Sequence, residues 1–138
     1  MTAPALVLTD VLRRRALLSG LPNPGTVPYV VRLEARIGGP PPAPVTVKLF
    51  YVPDRLIVER EAFGAYAVAL AGAAWPSLEE IAVTVLDDVS DELVPRWIRV
   101  VAAAEDPAAG GIAAHVAMVE DHQPNWSGER LLARLDLL

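Results

Sequence analysis

The clearest signal along the chain is a change in the period of its apolar positions. From Pro28 to Ile37 the pattern alternates, with Val31, Leu33, Ala35 and Ile37 on one face and Arg32, Glu34 and Arg36 on the other. A period of two is that of a half-buried strand. The segment Gly38–Pro44 carries consecutive prolines, which cannot donate to a ladder, so it reads as a loop. Val45 to Val52 alternates again and pairs with the first strand as a hairpin, ended by Pro53-Asp54. From Glu59 to Gly72 the spacing becomes helical, with Phe63, Tyr66, Ala67 and Leu70 on one side. A second helix opens at Ser77, an N-cap residue with Glu80 three positions on, the signature of a capping box. Leu78, Ile81, Ala82, Val85, Leu86, Val89 and Leu93 then form its apolar stripe, and Pro95 ends it. Residues 97–104 and 112–119 read as two further strands joined by the turn-rich segment 106–111.

The two ends carry weaker patterns. Residues 1–27 read as an irregular arm with a helical turn or two around Val11–Leu18, stopped by Leu21-Pro22-Asn23-Pro24-Gly25. Pro124-Asn125-Trp126 reads as a loop, and residues 127–137 as a short amphipathic helix that packs on a neighbour. The expected organisation is an arm (1–27), one core domain (28–119) and a tail with a short helix (120–138). The order strand, strand, helix, helix, strand, strand predicts an α+β fold. It is a four-stranded antiparallel sheet with both helices on one face. The other face and both edges are then uncovered, and edges left open invite pairing with another chain.

Composition sharpens that expectation. The 138 residues are 53 % hydrophobic and 21 % charged, yet no apolar run approaches the ~18 residues a membrane helix needs. The longest, Ala65 to Trp75, is broken by Gly72. A subunit interface accounts for the surplus of apolar residues, so a homo-oligomeric ring closing into a larger barrel is expected. The net charge of −5 and the absence of basic clusters interleaved with aromatics argue against nucleic acid. Arg13–Arg15, the one basic run, reads as solvating the chain end. With no cysteine there is no disulfide, thiolate nucleophile or zinc–thiolate site. Asp10 and the three arginines stand where a signal peptide would need its apolar core, which predicts a cytoplasmic protein.

Four segments, in order, resemble the 7-cyano-7-deazaguanine reductases, nitrile reductases of the T-fold (tunnelling-fold) superfamily. They are Leu21-Pro22-Asn23-Pro24, Val47 to Asp54 running on to Val58-Glu59, Leu86 to Val89 with Leu93 to Trp97, and Gly110-Gly111-Ile112. The resemblance implies the ββααββ T-fold and assembly into an oligomeric barrel. It also shows what has been lost. That family carries a catalytic cysteine and an aspartate between its first two strands, and the matching loop here, Gly38–Pro44, has neither. Its Glu-Ser-Lys-Ser-x-Lys segment, associated with NADPH, corresponds to Glu59-Arg60-Glu61-Ala62-Phe63-Gly64, without either lysine. Its His-Glu pair corresponds to Leu78-Glu79, and the arginine before its paired glycines to Ala109. A thioimide cannot form without a thiol, so nitrile reduction by that route is excluded.

The resemblance implies that Glu59 and Glu79 contact a heterocycle. A carboxylate suits that task because its two oxygens accept together from a ring N–H and an exocyclic amino group. The bland alternative for each is a solvated first-turn acid favoured by the helix dipole. Arg60 either holds an anionic substrate group or is a surface arginine. His115 is the candidate general acid or base, since imidazole ordinarily titrates near neutrality; the alternative is a structural histidine on a strand. His122 reads as solvated. Lys48, Glu34 and Arg32 either make cross-strand pairs or line a cavity. Three functions follow: an enzyme of altered, cofactor-independent chemistry on a purine-, pterin- or deazapurine-like molecule held between subunits; a binding or assembly subunit without activity; or an NADPH-dependent reductase of another substrate, which the missing lysines count against. No metal or other cofactor is expected.

Overall fold

The structure, a computed structural model, describes residues 4–37, 45–105, 111 and 114–138. Helix α1 spans Pro4–Ala16, followed by the short strand β1 (Gly20–Pro22), then β2 (Val31–Ile37) and β3 (Val45–Val52). A second short strand, β4 (Leu56–Val58), leads into α2 (Arg60–Ala71) and α3 (Leu78–Leu93). The chain returns through β5 (Trp97–Glu105) and β6 (Ala114–His122) and ends in one turn of helix, α4 (Glu129–Leu132), and a 3₁₀ turn at Leu135–Leu137. The main sheet is antiparallel throughout in the order β2-β3-β5-β6, so β2 and β6 are its edges.

The alternation read from the sequence is the alternation of the sheet. One face packs under α2 and α3: Val47, Leu49, Tyr51, Ile98, Val100 and Ala102 are buried there against Phe63, Tyr66, Leu70, Ile81, Val85 and Val89. The other face carries Arg32, Glu34, Arg36, Thr46, Lys48, Phe50, Arg99 and Glu120, brought side by side by the pairing register. Ser77 caps α3 by accepting from the Glu80 backbone N–H at 3.2 Å. The helix ends on Val94, whose φ of 45° and ψ of 57° lie in the left-handed region. That conformation suits glycine and costs a β-branched residue roughly 1–2 kcal/mol. The Val94 carbonyl accepts from Gln123 Nε2 at 3.0 Å, which ties the helix end to the chain beyond β6.

Several expectations are corrected. The N-terminal segment is not an irregular arm: α1 is a thirteen-residue helix, and β1 pairs with β4 in a two-stranded sheet too short for periodicity to reveal. Asn23 anchors the turn after β1, donating its side-chain amide to the Asp54 carbonyl and accepting from Gly25 N–H and the Tyr29 hydroxyl. The last strand runs on to His122 instead of ending at 119, its expected start at 112 lying outside the described residues, and the C-terminal segment breaks into two short turns instead of one helix over 127–137. The expected loops at 38–44 and 106–110 lie outside the described residues.

The basic run is also corrected. Arg14 and Arg15 do not solvate the chain end; they close over Asp88, which is 1 % exposed in the middle of the α3 stripe. Arg14 Nε donates to one Asp88 oxygen at 2.6 Å and Arg15 Nε to the other at 2.8 Å. The Tyr66 hydroxyl, from α2, donates to Asp88 at 2.6 Å. Burial and the neighbouring carboxylate push the Tyr66 phenol far above its ordinary range, so it remains a donor. Arg14 also lies over the ring of Trp75, 5.8 Å from its centre. A carboxylate removed from water needs this many donors, and α1 and α2 meet α3 to supply them. Asp88→Ala strands two arginines and a tyrosine, and urea unfolding is expected to show a loss of about 3–5 kcal/mol, the range for breaking a buried ion pair. A loss below about 1 kcal/mol would mean that the cluster is not closed in solution.

Candidate functional site

Glu79 stands in the first turn of α3, just after the Ser77 cap. Its side chain leaves the apolar stripe and points to solvent. His115 stands near the start of β6, opposite Ala104 of β5. It shares its side of the strand with Ala117 and Val119, both packed against the core, so it projects on the helix-bearing side of the sheet. Because α3 lies across β5 and β6, the first turn of the helix reaches the edge strand. His115 Nε2 lies 3.1 Å from Glu79 Oε2, joining residues 36 positions apart.

The side chains are 49 % and 61 % exposed, so the contact adds little to stability. The Glu79 carboxyl is held below the usual carboxylate range, first by its own backbone N–H at the open helix end and then by the His115 imidazole. An ionised carboxylate only accepts, so His115 Nε2 carries the proton between them. The pair is thus an oriented imidazole at the rim of the sheet.

Glu59 and Arg60 are placed differently. Glu59 is the residue before α2, with extended backbone and no side-chain capping bond, and its carbonyl accepts from Phe63 N–H at 3.0 Å. Its side chain is exposed, as is that of Arg60, whose nearest ionic partner is Glu61 at 3.7 Å. No hydrogen bond or ion pair among the described residues joins Glu59 or Arg60 to Glu79 or His115. The structure therefore brings two of the four candidate residues together within one protomer. The loop 38–44 and Ala109, where the resemblance places lost catalytic positions, lie outside the described residues. His122 is exposed, and its Nδ1 lies 2.9 Å from the Gln123 carbonyl. A cavity of about 150 Å³ lies beside it, lined by Ser90, Val94, Pro95, Ile98 and Asp121, and takes in none of the four candidates. Among the described residues no cluster of three or more His, Asp or Glu side chains forms a metal site. No helix is long and apolar enough to cross a membrane among them.

Comparison with known proteins agrees with this architecture. A family model described as "QueF-like protein" matches residues 42–125. Among solved structures, the chain is similar to the apo form of the archaeosine synthase QueF-Like, with a TM-score of 0.53 and 19 % identity. That likeness covers 69 % of this chain and 95 % of the other, and it shows the T-fold. No curated protein sequence matches. The matched region takes in Glu59, Arg60, Glu79 and His115 but leaves α1 and its arginines outside.

The Glu79–His115 contact has a direct spectroscopic consequence. In an NMR titration the Glu79 side-chain carboxyl is expected to have a midpoint below that of free glutamate. His115→Gln should move it part of the way back up, because the backbone donor remains. A lowered carboxyl pKa contributes stability above its unfolded value that is lost as pH falls through the folded one, and at so exposed a site that contribution is small. A midpoint indifferent to His115→Gln would show the two side chains apart.

Proposed function

The chain belongs to the QueF-like protein family, and on that premise we propose that it binds a deazaguanine-, purine- or pterin-like heterocycle through Glu79. In this reading it catalyses a proton-transfer, cyclisation or hydrolysis step without a thiol, with His115 as acid and base. The observation that carries the reading is the 3.1 Å contact between Glu79 and His115. A carboxylate that accepts from a heterocycle N–H while orienting an imidazole places a recognition group and a proton carrier within one ligand's width. Family membership supports a heterocycle of the deazaguanine class. With no cysteine in the chain a thiol route is closed, and the carboxylate–imidazole pair supports acid–base chemistry.

The pair is too open to exclude water by itself. It sits on β6, an edge strand, with Val116 and Met118 exposed along the same strand. A second copy added at this edge would cover the site and bring other residues to it, Glu59 and Arg60 of that copy among the candidates. A homo-oligomeric ring is part of this proposal, and no nicotinamide cofactor is.

A second reading, a binding subunit without turnover, shares the loss of binding in Glu79→Gln but has no reaction for His115→Gln to lose; the catalytic reading predicts both effects. Glu79→Gln is expected to abolish heterocycle binding by calorimetry while lowering the melting temperature by no more than about two degrees, as for other exposed positions. His115→Gln is expected to retain binding and lose turnover. If His115→Gln leaves any measured reaction unchanged, the histidine is not the proton carrier; a large loss of stability in Glu79→Gln with binding intact would make Glu79 structural.

A further inference from the structure

The sheet face turned away from the helices has no role in the Glu79–His115 site, and its charge runs against that of the chain. Along β2, β3, β5 and β6, among the residues whose side chains are described, it presents Arg32, Arg36, Lys48 and Arg99 against the carboxylates of Glu34 and Glu120. The chain as a whole carries −5. At physiological salt, charges beyond about 8 Å are screened, so a ligand at this face meets the local cations rather than the distant acids.

The cations are not equivalent. Arg99 gives both Nε and Nη2 to Glu120 at 2.8 Å, and Arg32 holds Glu34 at 2.6 Å. Glu34 stands opposite Lys48 in the register but is engaged by Arg32. Lys48 and Arg36 make no ion pair or side-chain hydrogen bond among the described residues. Lys48, the chain's only lysine, is half-buried. The register places Arg36 directly across from Thr46, and Thr46 lies two residues from Lys48 on the same face. Cross-strand and diagonal neighbours in a sheet lie ~5–8 Å apart. Two cations with no ion pair among the described residues therefore lie beside a hydroxyl, within reach of one tetrahedral anion.

We propose that Arg36, Thr46 and Lys48 form a binding site for a phosphate group on the open face of the sheet. The guanidinium and ammonium supply charge-assisted donors and the Thr46 hydroxyl a third. Glu34, held by Arg32, sets the competing negative charge beside it. The site requires no second subunit and stands whether or not Glu79 binds a heterocycle.

Titration calorimetry of the full chain with inorganic phosphate, and separately with a nucleoside 5′-monophosphate, tests this. Saturable binding of one anion per protomer is expected, weakening with added salt. Binding of both probes identifies a free phosphate site, and binding of the nucleotide alone a site for a phosphate borne on a larger molecule. Losing one charge-assisted bond, Lys48→Gln is expected to weaken binding about tenfold. Lys48→Arg should retain it, and Glu34→Gln should tighten it, a gain that misfolding cannot imitate. No saturable binding of either probe up to about 10 mM, a dissociation constant too weak to matter, would overturn the proposal. So would Lys48→Gln or Glu34→Gln with unchanged affinity.

Discussion

A single buried carboxylate sets how the helices of this protein lie. Asp88 occupies a position in the α3 stripe whose other members are apolar, and it is as buried as they are. Such a group is tolerated only where donors surround it. Here they come from two other helices: Tyr66 from α2, and Arg14 and Arg15 from α1. The requirement fixes the rotation of α3 about its own axis. Glu79 lies nine residues earlier, about two and a half turns at 3.6 residues per turn, and so on the opposite side. Holding Asp88 under α1 and α2 aims Glu79 towards the edge of the sheet, where His115 meets it.

The sheet beneath divides the molecule's chemistry in two. Its inner face belongs to the core, and α3 crosses it far enough to put the Glu79–His115 pair at the β6 edge. Its outer face carries the cations around Lys48. The two regions share strands but lie on opposite sides of the pleat, so each can be altered by substitutions that leave the other intact. The family match begins after α1 and ends just past β6. The arginines that satisfy Asp88 lie outside the residues that the family model matches.

Much of this was legible in the sequence because it is local. The strands β2 and β3 and the helices α2 and α3 declare themselves by period, and Ser77, Gly72 and Pro95 mark helix ends. What was hidden depends on distance along the chain. Asp88 and its arginine partners are more than seventy positions apart, so the basic run reads as solvated until α1 is seen docked. The β1–β4 ribbon is three residues long on each side, too short for alternation to register. His115 was a candidate for its imidazole alone. Its partner depends on the register of β6 and the crossing of α3, which no spacing in the sequence encodes. Lys48 stood beside Glu34 as a cross-strand pair in the pattern, whereas the nearer contact of Glu34 is Arg32, two residues away on its own strand.

The central claim is that an oriented carboxylate–imidazole pair serves a heterocycle at the edge of an open T-fold sheet. Native mass spectrometry of the purified protein, alone and with a panel of deazapurines, purines and pterins, addresses it most directly. A ring-sized oligomer that retains one such molecule per protomer is the expected result. A monomer that retains none would contradict it, leaving the fold without the function assigned to its edge.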